Sequence, residues 1–205
     1  MVFSTNNPKV LINTIKSFLL CIHTDAARGA LQGVLVDYVS EKDEQVDARL
    51  VATDGVIMLL RNISAPRNTW IAAGFNSTIL KTGNVFKKGL AGYVLIEEPY
   101  PDWRKAVPHR FTNEGNAPLF LLDTVSRLIP ILKLLGLGKK VIEHRVARPA
   151  YWNSAISATI WNAGIGGYLL CMPARDTHQG EIRKGIESFD IEGGQEINVE
   201  WEAMK

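Results

Sequence analysis

Twice along this 205-residue chain a helix-spaced apolar run is followed by three strand-length apolar runs, and that order constrains the fold more than any other feature. Within residues 8–24, Val10, Leu11, Ile12, Ile15, Phe18, Leu19 and Ile22 return at helical spacing, with Lys9, Asn13, Lys16 and Ser17 mostly opposite. This pattern predicts an amphipathic helix. Extended runs follow over Ala30–Val39, Val46–Thr53 and Val56–Ile63. A Ser40–Gln45 loop is expected between the first two, and Asp54-Gly55, a dipeptide suited to a tight turn, between the second two. Further on, Ala117–Leu135 predicts a second helix, with Asp123 or Thr124 near its start and Gly136 as its stop. Pro130 predicts a kink in it or a late start. Runs at Val141–Ala147, Ser154–Trp161 and Gly167–Met172 complete the second unit. Between the units, Ala65–Gly92 is broken up by Pro66 and four glycines and receives no firm assignment, while Tyr93–Ile96 reads as a strand entering a Pro-rich stretch, 99–108. Two such units can set their strands in adjoining antiparallel sheets with both helices packed on one side, an α+β architecture.

The 46% of apolar residues is enough for a sizeable core in one large domain or two small ones. No apolar run approaches the roughly 20 residues that span a bilayer. Met1–Lys9 lacks the basic region and apolar stretch of a secretion signal, so the expectation is a cytoplasmic protein without a membrane partner. Cys21 and Cys171 each lie inside an apolar run and read as buried structural thiols rather than as a disulfide or a nucleophile. Charge is uneven. Residues 1–175 hold 20 Lys or Arg against 13 Asp or Glu, a net +7, whereas residues 176–205 hold 3 against 8, a net −5. A basic body suits contact with a polyanion, and the acidic extension, a candidate hairpin over Glu187–Ile191 and Glu196–Trp201, could compete for the same surface. A solvated body with an unrelated tail fits the same numbers.

Signals for catalysis are absent. His23, His109, His144 and His178 show no metal-type spacing with one another or with the cysteines. Gly136-Leu-Gly-Lys-Lys140 lacks phosphate-loop spacing, Gly164-Ile-Gly-Gly167 reads as a turn, and no serine sits in a Gly-x-Ser-x-Gly elbow. Asp37, Asp47 and Asp54 could converge as carboxylates, although the turn already accounts for Asp54. The expectation is a protein with no enzymatic activity, no cofactor and no metal.

Three segments remain: Leu50-Val-Ala-Thr-Asp-Gly55, Tyr100-Pro-Asp-Trp-Arg-Lys-Ala-Val-Pro108 and Leu170-Cys-Met-Pro-Ala-Arg175. Taken singly they read as a hairpin, a rigid strap anchored by Trp103, and a strand ending in a proline turn. Taken together and in this order, they resemble the pocket-lining segments of the bacterial DNA polymerase III β sliding clamp. The resemblance implies a clamp-type fold over residues 1–175, with halves at about 1–98 and 109–175 joined by 99–108, and an extension over 176–205. It implies a processivity accessory protein of DNA replication, similar to compact phage and prophage clamp-like proteins. Its pocket, bordered by Thr53, Gly55, Val56, Met58, Pro101, Trp103, Lys105, Ala106, Met172, Pro173, Ala174 and Arg175, would receive peptide tails of polymerases or other replication proteins. It further implies double-stranded DNA held without base specificity by helix cations, Lys9, Lys16, Arg127, Lys133, Lys139 and Lys140, and a homo-oligomer of about six copies or a host partner if a ring forms.

The chain also departs from that family. Val56 and Ile57 stand where His and Arg are usual, and Ala174 stands where a second Met is usual. About thirty residues follow Arg175, and a chain of this length implies, by the resemblance, one clamp-type domain in place of three. These departures keep a second reading open: a monomeric interaction adaptor or decoy that retains the platform without surrounding DNA.

Overall fold

A two-residue strand, β1 (Phe3–Ser4), leads into α1 (Pro8–Leu19), whose start is set by its neighbours: Asn7 Oδ1 accepts from Lys9 N across 3.0 Å and Pro8 pre-sets the first helical φ. The computed structural model describes residues 2–106, 111–112, 122–137, 144–147, 159–162 and 167–171. Leu11, Ile15 and Phe18 bury one face of α1 completely, while Lys9 and Lys16 are exposed. The helix stops at Leu19, short of the apolar pattern's end, and Cys21 is buried in the turn beyond it.

The first strand differs from its expected bounds. Residues Ala26–Gln32 form two short 3-10 turns separated by a kink at Arg28 and Gly29, the first opened by Asp25, whose Oδ1 accepts from Ala27 N, and β2 (Val34–Lys42) begins only after Gly33. A Cβ at Gly33 would lie 2.9 Å from the carbonyl oxygen of Phe86, so glycine allows a later strand to approach β2. β2 also runs past Ser40, and the expected six-residue loop contracts to Asp43 and Glu44, with φ of 51° and 64°. Positive φ at both positions is the backbone that matches strand twist in a two-residue hairpin. β3 (Gln45–Thr53) and β4 (Ile57–Pro66) continue the antiparallel meander, with Thr53 opposite Met58.

The stretch left unassigned by sequence holds the end of β4, a short helix α2 (Arg67–Ala72) and β5 (Val85–Gly89), which pairs with β6 (Gly92–Ile96). Its order comes from aromatic packing, which has no period to detect. Trp70 donates from Nε1 to Val46 O, and its ring meets Phe75 edge-on at 5.2 Å; Phe75 in turn contacts Phe86 and Tyr93. The second unit contributes β7 (Phe111–Thr112), α3 (Leu122–Leu134), β8 (His144–Ala147), β9 (Thr159–Asn162) and β10 (Gly167–Cys171). α3 begins well before Pro130, which sits on its exposed side, and Gly136 follows its end at φ 76°. The expected late start does not occur.

The strands join in one sheet, in the order β6-β5-β2-β3-β4-β10-β9-β8-β7, with β1 parallel to the far end of β4. The seam between the two units is β4 against β10, from Gly167 opposite Arg61 to Cys171 opposite Ile57. Period-two alternation decides which side chains go to which layer. Val46, Ala48, Leu50 and Ala52 of β3, with Ile57, Leu59, Ile63 and Ala65 of β4, pack under Leu11, Ile15 and Phe18 of α1 and Leu128 and Ile131 of α3. Both long helices therefore cover one face, and the architecture is α+β. Arg61 shares that face and lies over the Phe3 ring at 3.9 Å; burial pushes its guanidinium down to about 10. The opposite face carries a smaller apolar layer, to which Val51, Met58 and Leu60 contribute. The predicted tail hairpin lies outside the described residues.

Candidate partner-binding face

That smaller layer is where the singled-out segments meet. Leu35, Val51, Met58, Leu60, Val85, Trp103 and Leu170 form one buried cluster, flanked by Ile96, Tyr100 and Tyr168. Met58 and Leu170 are direct cross-strand partners, since odd and even positions of β4 and β10 alternate in step. Trp103 opens a 3-10 turn, Trp103–Ala106, and lies in this layer at 7% exposure.

Trp103 is fixed by a carboxylate that periodicity alone would not assign to it. The β2–β3 register shifts between Val36 and Tyr38, a bulge at Asp37. Asp37 Oδ1 accepts from Trp103 Nε1 at 3.0 Å, and both its oxygens accept from Arg104 Nη2 at 2.9 and 2.8 Å. Arg49 Nη1 adds a longer contact at 3.4 Å, while Arg49 Nε donates to Asn62 Oδ1. The Arg104 guanidinium also stacks 4.6 Å from the Trp103 ring centroid. Asp37 is thus a structural acceptor rather than part of a carboxylate cluster. A lone charge inside Val34-Leu-Val-Asp-Tyr-Val39 was the available sign that something must meet it.

Tyr100 ties the strap to the first segment. Thr53 N donates to its hydroxyl oxygen at 3.0 Å, and burial holds its phenol well above the usual range. In the adjoining turn Asp54 Oδ1 accepts from Val56 N and Ile57 N at 2.8 Å each, and Gly55 N donates to Thr53 Oγ1. Gly55 has φ 93°, and a Cβ there would meet nothing within 4 Å, so the turn projects into open space. Val56 is exposed and Ile57 fully buried. Pro101 and Lys105 are also exposed, with Lys105 Nζ 3.8 Å from Asp102 Oδ2; Ala106 closes the 3-10 turn.

Met172, Pro173, Ala174 and Arg175 lie outside the described residues, as do Lys139 and Lys140. The third segment is therefore followed only to Cys171, which faces Ile57 at the Asp54 turn. Burial raises the thiols of Cys21 and Cys171, the latter to about 11, with the nearby Asp54 carboxylate adding to the effect.

Of the helix cations, Lys9 and Lys16 stand two turns apart on the exposed face of α1, and Lys133 is exposed near the end of α3. Arg127 is different. Its Nη2 lies 2.5 Å from Asp54 Oδ2 and 3.4 Å from Leu20 O, so its guanidinium faces the β3–β4 turn. Among the described residues no group of three or more His, Cys, Asp and Glu could hold a metal ion, and no helix is long and apolar enough to cross a membrane. A cavity of about 330 Å³ opens away from this face, between Asn6, Pro8, Pro66, Asn68, Thr69 and Ala72.

No family model matches the chain, and no curated protein does. Solved structures do. The chain is similar to bacterial sliding clamps. The Pseudomonas aeruginosa DNA polymerase sliding clamp is 14% identical, with 83% of this chain and 66% of that one covered at a TM-score of 0.48. The Thermotoga maritima DNA polymerase III β subunit is 11% identical, with 86% and 68% covered at 0.46. Caulobacter crescentus polymerase III β is 17% identical, with 83% and 65% covered at 0.45. The chain spans about two thirds of the length of these clamps.

Proposed function

We propose that this protein is a sliding-clamp-like, non-enzymatic accessory factor of DNA replication. It would bind peptide segments of replication partners on the Trp103 face and duplex DNA through its helix layer. The observation that carries this reading is the junction of segments remote in sequence: the Tyr100 hydroxyl on Thr53 N, and Trp103 over Met58 and Leu170. Trp103, held by Asp37 and Arg104, is a rigid buried floor rather than an adaptable contact. The exposed groups around it, Val56, Pro101 and Lys105, offer an apolar and cationic rim. Such a rim suits an extended peptide with apolar anchors and an acidic group. On the other layer, Lys9, Lys16 and Lys133 would meet phosphates, giving sequence-independent binding that weakens with salt.

The test combines particle size with DNA topology. A ring-sized oligomer that is retained on nicked circular DNA and lost when the circle is cut supports a clamp. A monomer that binds a synthetic clamp-binding peptide but ignores duplex at low salt supports the second reading, an adaptor. Two observations favour that second reading: Arg127 is engaged within the molecule, and Val56 and Ile57 occupy the places usual for His and Arg.

A further inference from the structure

We propose that Arg127 is a positioning residue for the 54–57 turn, acting through Asp54, and not a phosphate contact. The inference rests on reading that turn as one rim of the partner site. Asp54 divides its carboxylate between two tasks. Oδ1 holds the Val56 and Ile57 amides at 2.8 Å each, which sets the turn, while Oδ2 accepts from Arg127 Nη2 at 2.5 Å. The same nitrogen reaches Leu20 O at 3.4 Å, the cap residue at the end of α1. One guanidinium therefore links α3, the end of α1 and the rim turn.

Burial gives the link its strength. The Asp54 side chain is 9% exposed and that of Arg127 33%, so water cannot fully replace the guanidinium if it is removed. Asp54 holds the amide of Ile57, and Ile57 pairs with Cys171, which places the turn at the end of β10, within the third segment. α3 otherwise packs on the sheet face opposite Trp103. Arg127 thus gives the helix layer a hold on one rim of the other face.

The experiment uses the full chain with Arg127→Ala, Arg127→Lys, Asp54→Asn and the Asp54→Asn/Arg127→Ala double variant. Three quantities are read: hydrogen exchange at the Val56 and Ile57 amides, affinity for a fluorescein-labelled clamp-binding peptide, and the salt slope of binding to a labelled duplex. Arg127→Ala should speed exchange at those two amides by about tenfold relative to core amides of β3. Asp54→Asn should do at least as much, and the double variant no more than Asp54→Asn alone. Peptide affinity should fall with exchange protection, and the salt slope should match the parent. Should Arg127→Ala fold poorly, Arg127→Lys and Asp54→Asn carry the same exchange test. Parent-like protection in a folded Arg127 variant overturns the proposal, as does a slope reduced by about 0.9, the value of one lost phosphate contact. If exchange rises but the parent itself binds no peptide, the partner-site reading fails while the positioning role stands.

Discussion

The indole of Trp103 and the carboxylate of Asp37, 66 residues apart, meet at 3.0 Å across the sheet face that carries no long helix. The bulge in β2 aims Asp37 toward the strap, and the strap's own Arg104 neutralises it. A rigid anchor of this kind changes what mutagenesis should show. Trp103→Ala removes a nearly buried aromatic and leaves Asp37 without its indole donor, and should destabilise the fold by about 3–5 kcal/mol. Trp103→Phe keeps most of the packing and should cost about 1 kcal/mol. Urea unfolding curves decide between this anchor and a dispensable surface contact, for which both variants would match the parent.

Alkaline pH should destabilise the protein through groups that burial keeps protonated. Cys21, Cys171 and Tyr100 all have folded-state values above their ordinary ones. Their neutral forms are therefore favoured on folding, and the stability they contribute is fully present below about pH 9, the ordinary thiol range. It is lost as pH rises beyond the unfolded values, by up to about 1.4 kcal/mol per pH unit for each group. Melting temperatures between pH 7 and 10.5 should fall, and less steeply in Tyr100→Phe and Cys21→Ala. Both thiols should resist Ellman's reagent at pH 8 until the chain unfolds.

The β2–β3 hairpin can be strengthened without touching either proposed surface. Asp43 and Glu44 occupy positive φ at a cost that Asn-Gly would largely avoid. Asp43→Asn with Glu44→Gly should raise stability by roughly 1 kcal/mol, seen as a higher melting temperature. A lower one would mean that the side chains at 43 and 44 contribute more than the turn geometry costs.

Lys9→Ala, Lys16→Ala and Lys133→Ala address the DNA-facing proposal directly. Each true phosphate contact removed should lower the slope of log affinity against log salt by about 0.9. Three variants with the parent's slope would take the exposed cations of α1 and α3 off the DNA surface.

Much of the frame was legible beforehand because periodicity is a local property. Both long helices, the β3 and β4 strands and the stop at Gly136 follow from spacing and from single turn-formers. The region between Ala65 and Gly92 was not legible, because Trp70, Phe75, Phe86 and Tyr93 order it by edge-on and tilted ring contacts between residues with no regular interval. The contracted hairpin at Asp43-Glu44 was missed because two charged residues signal a loop in composition while the flanking register demands a two-residue turn. At the candidate site, Trp103 was nameable from its segment, but the residue that holds it was not. Asp37 looked like a catalytic possibility until the bulge put it under the strap.

Sequence alone determined which residues are apolar at which interval, and so the elements, their facing sides and the segments worth comparing with a clamp. Tertiary structure decided how charge is used. Arg127 reads as a helix cation open to phosphate, and Asp54 as a turn former sufficient to itself, yet each is committed to the other. Pairing of that kind depends on distance in space between groups 73 residues apart, and charge attraction falls off with separation through the fold, not along the chain.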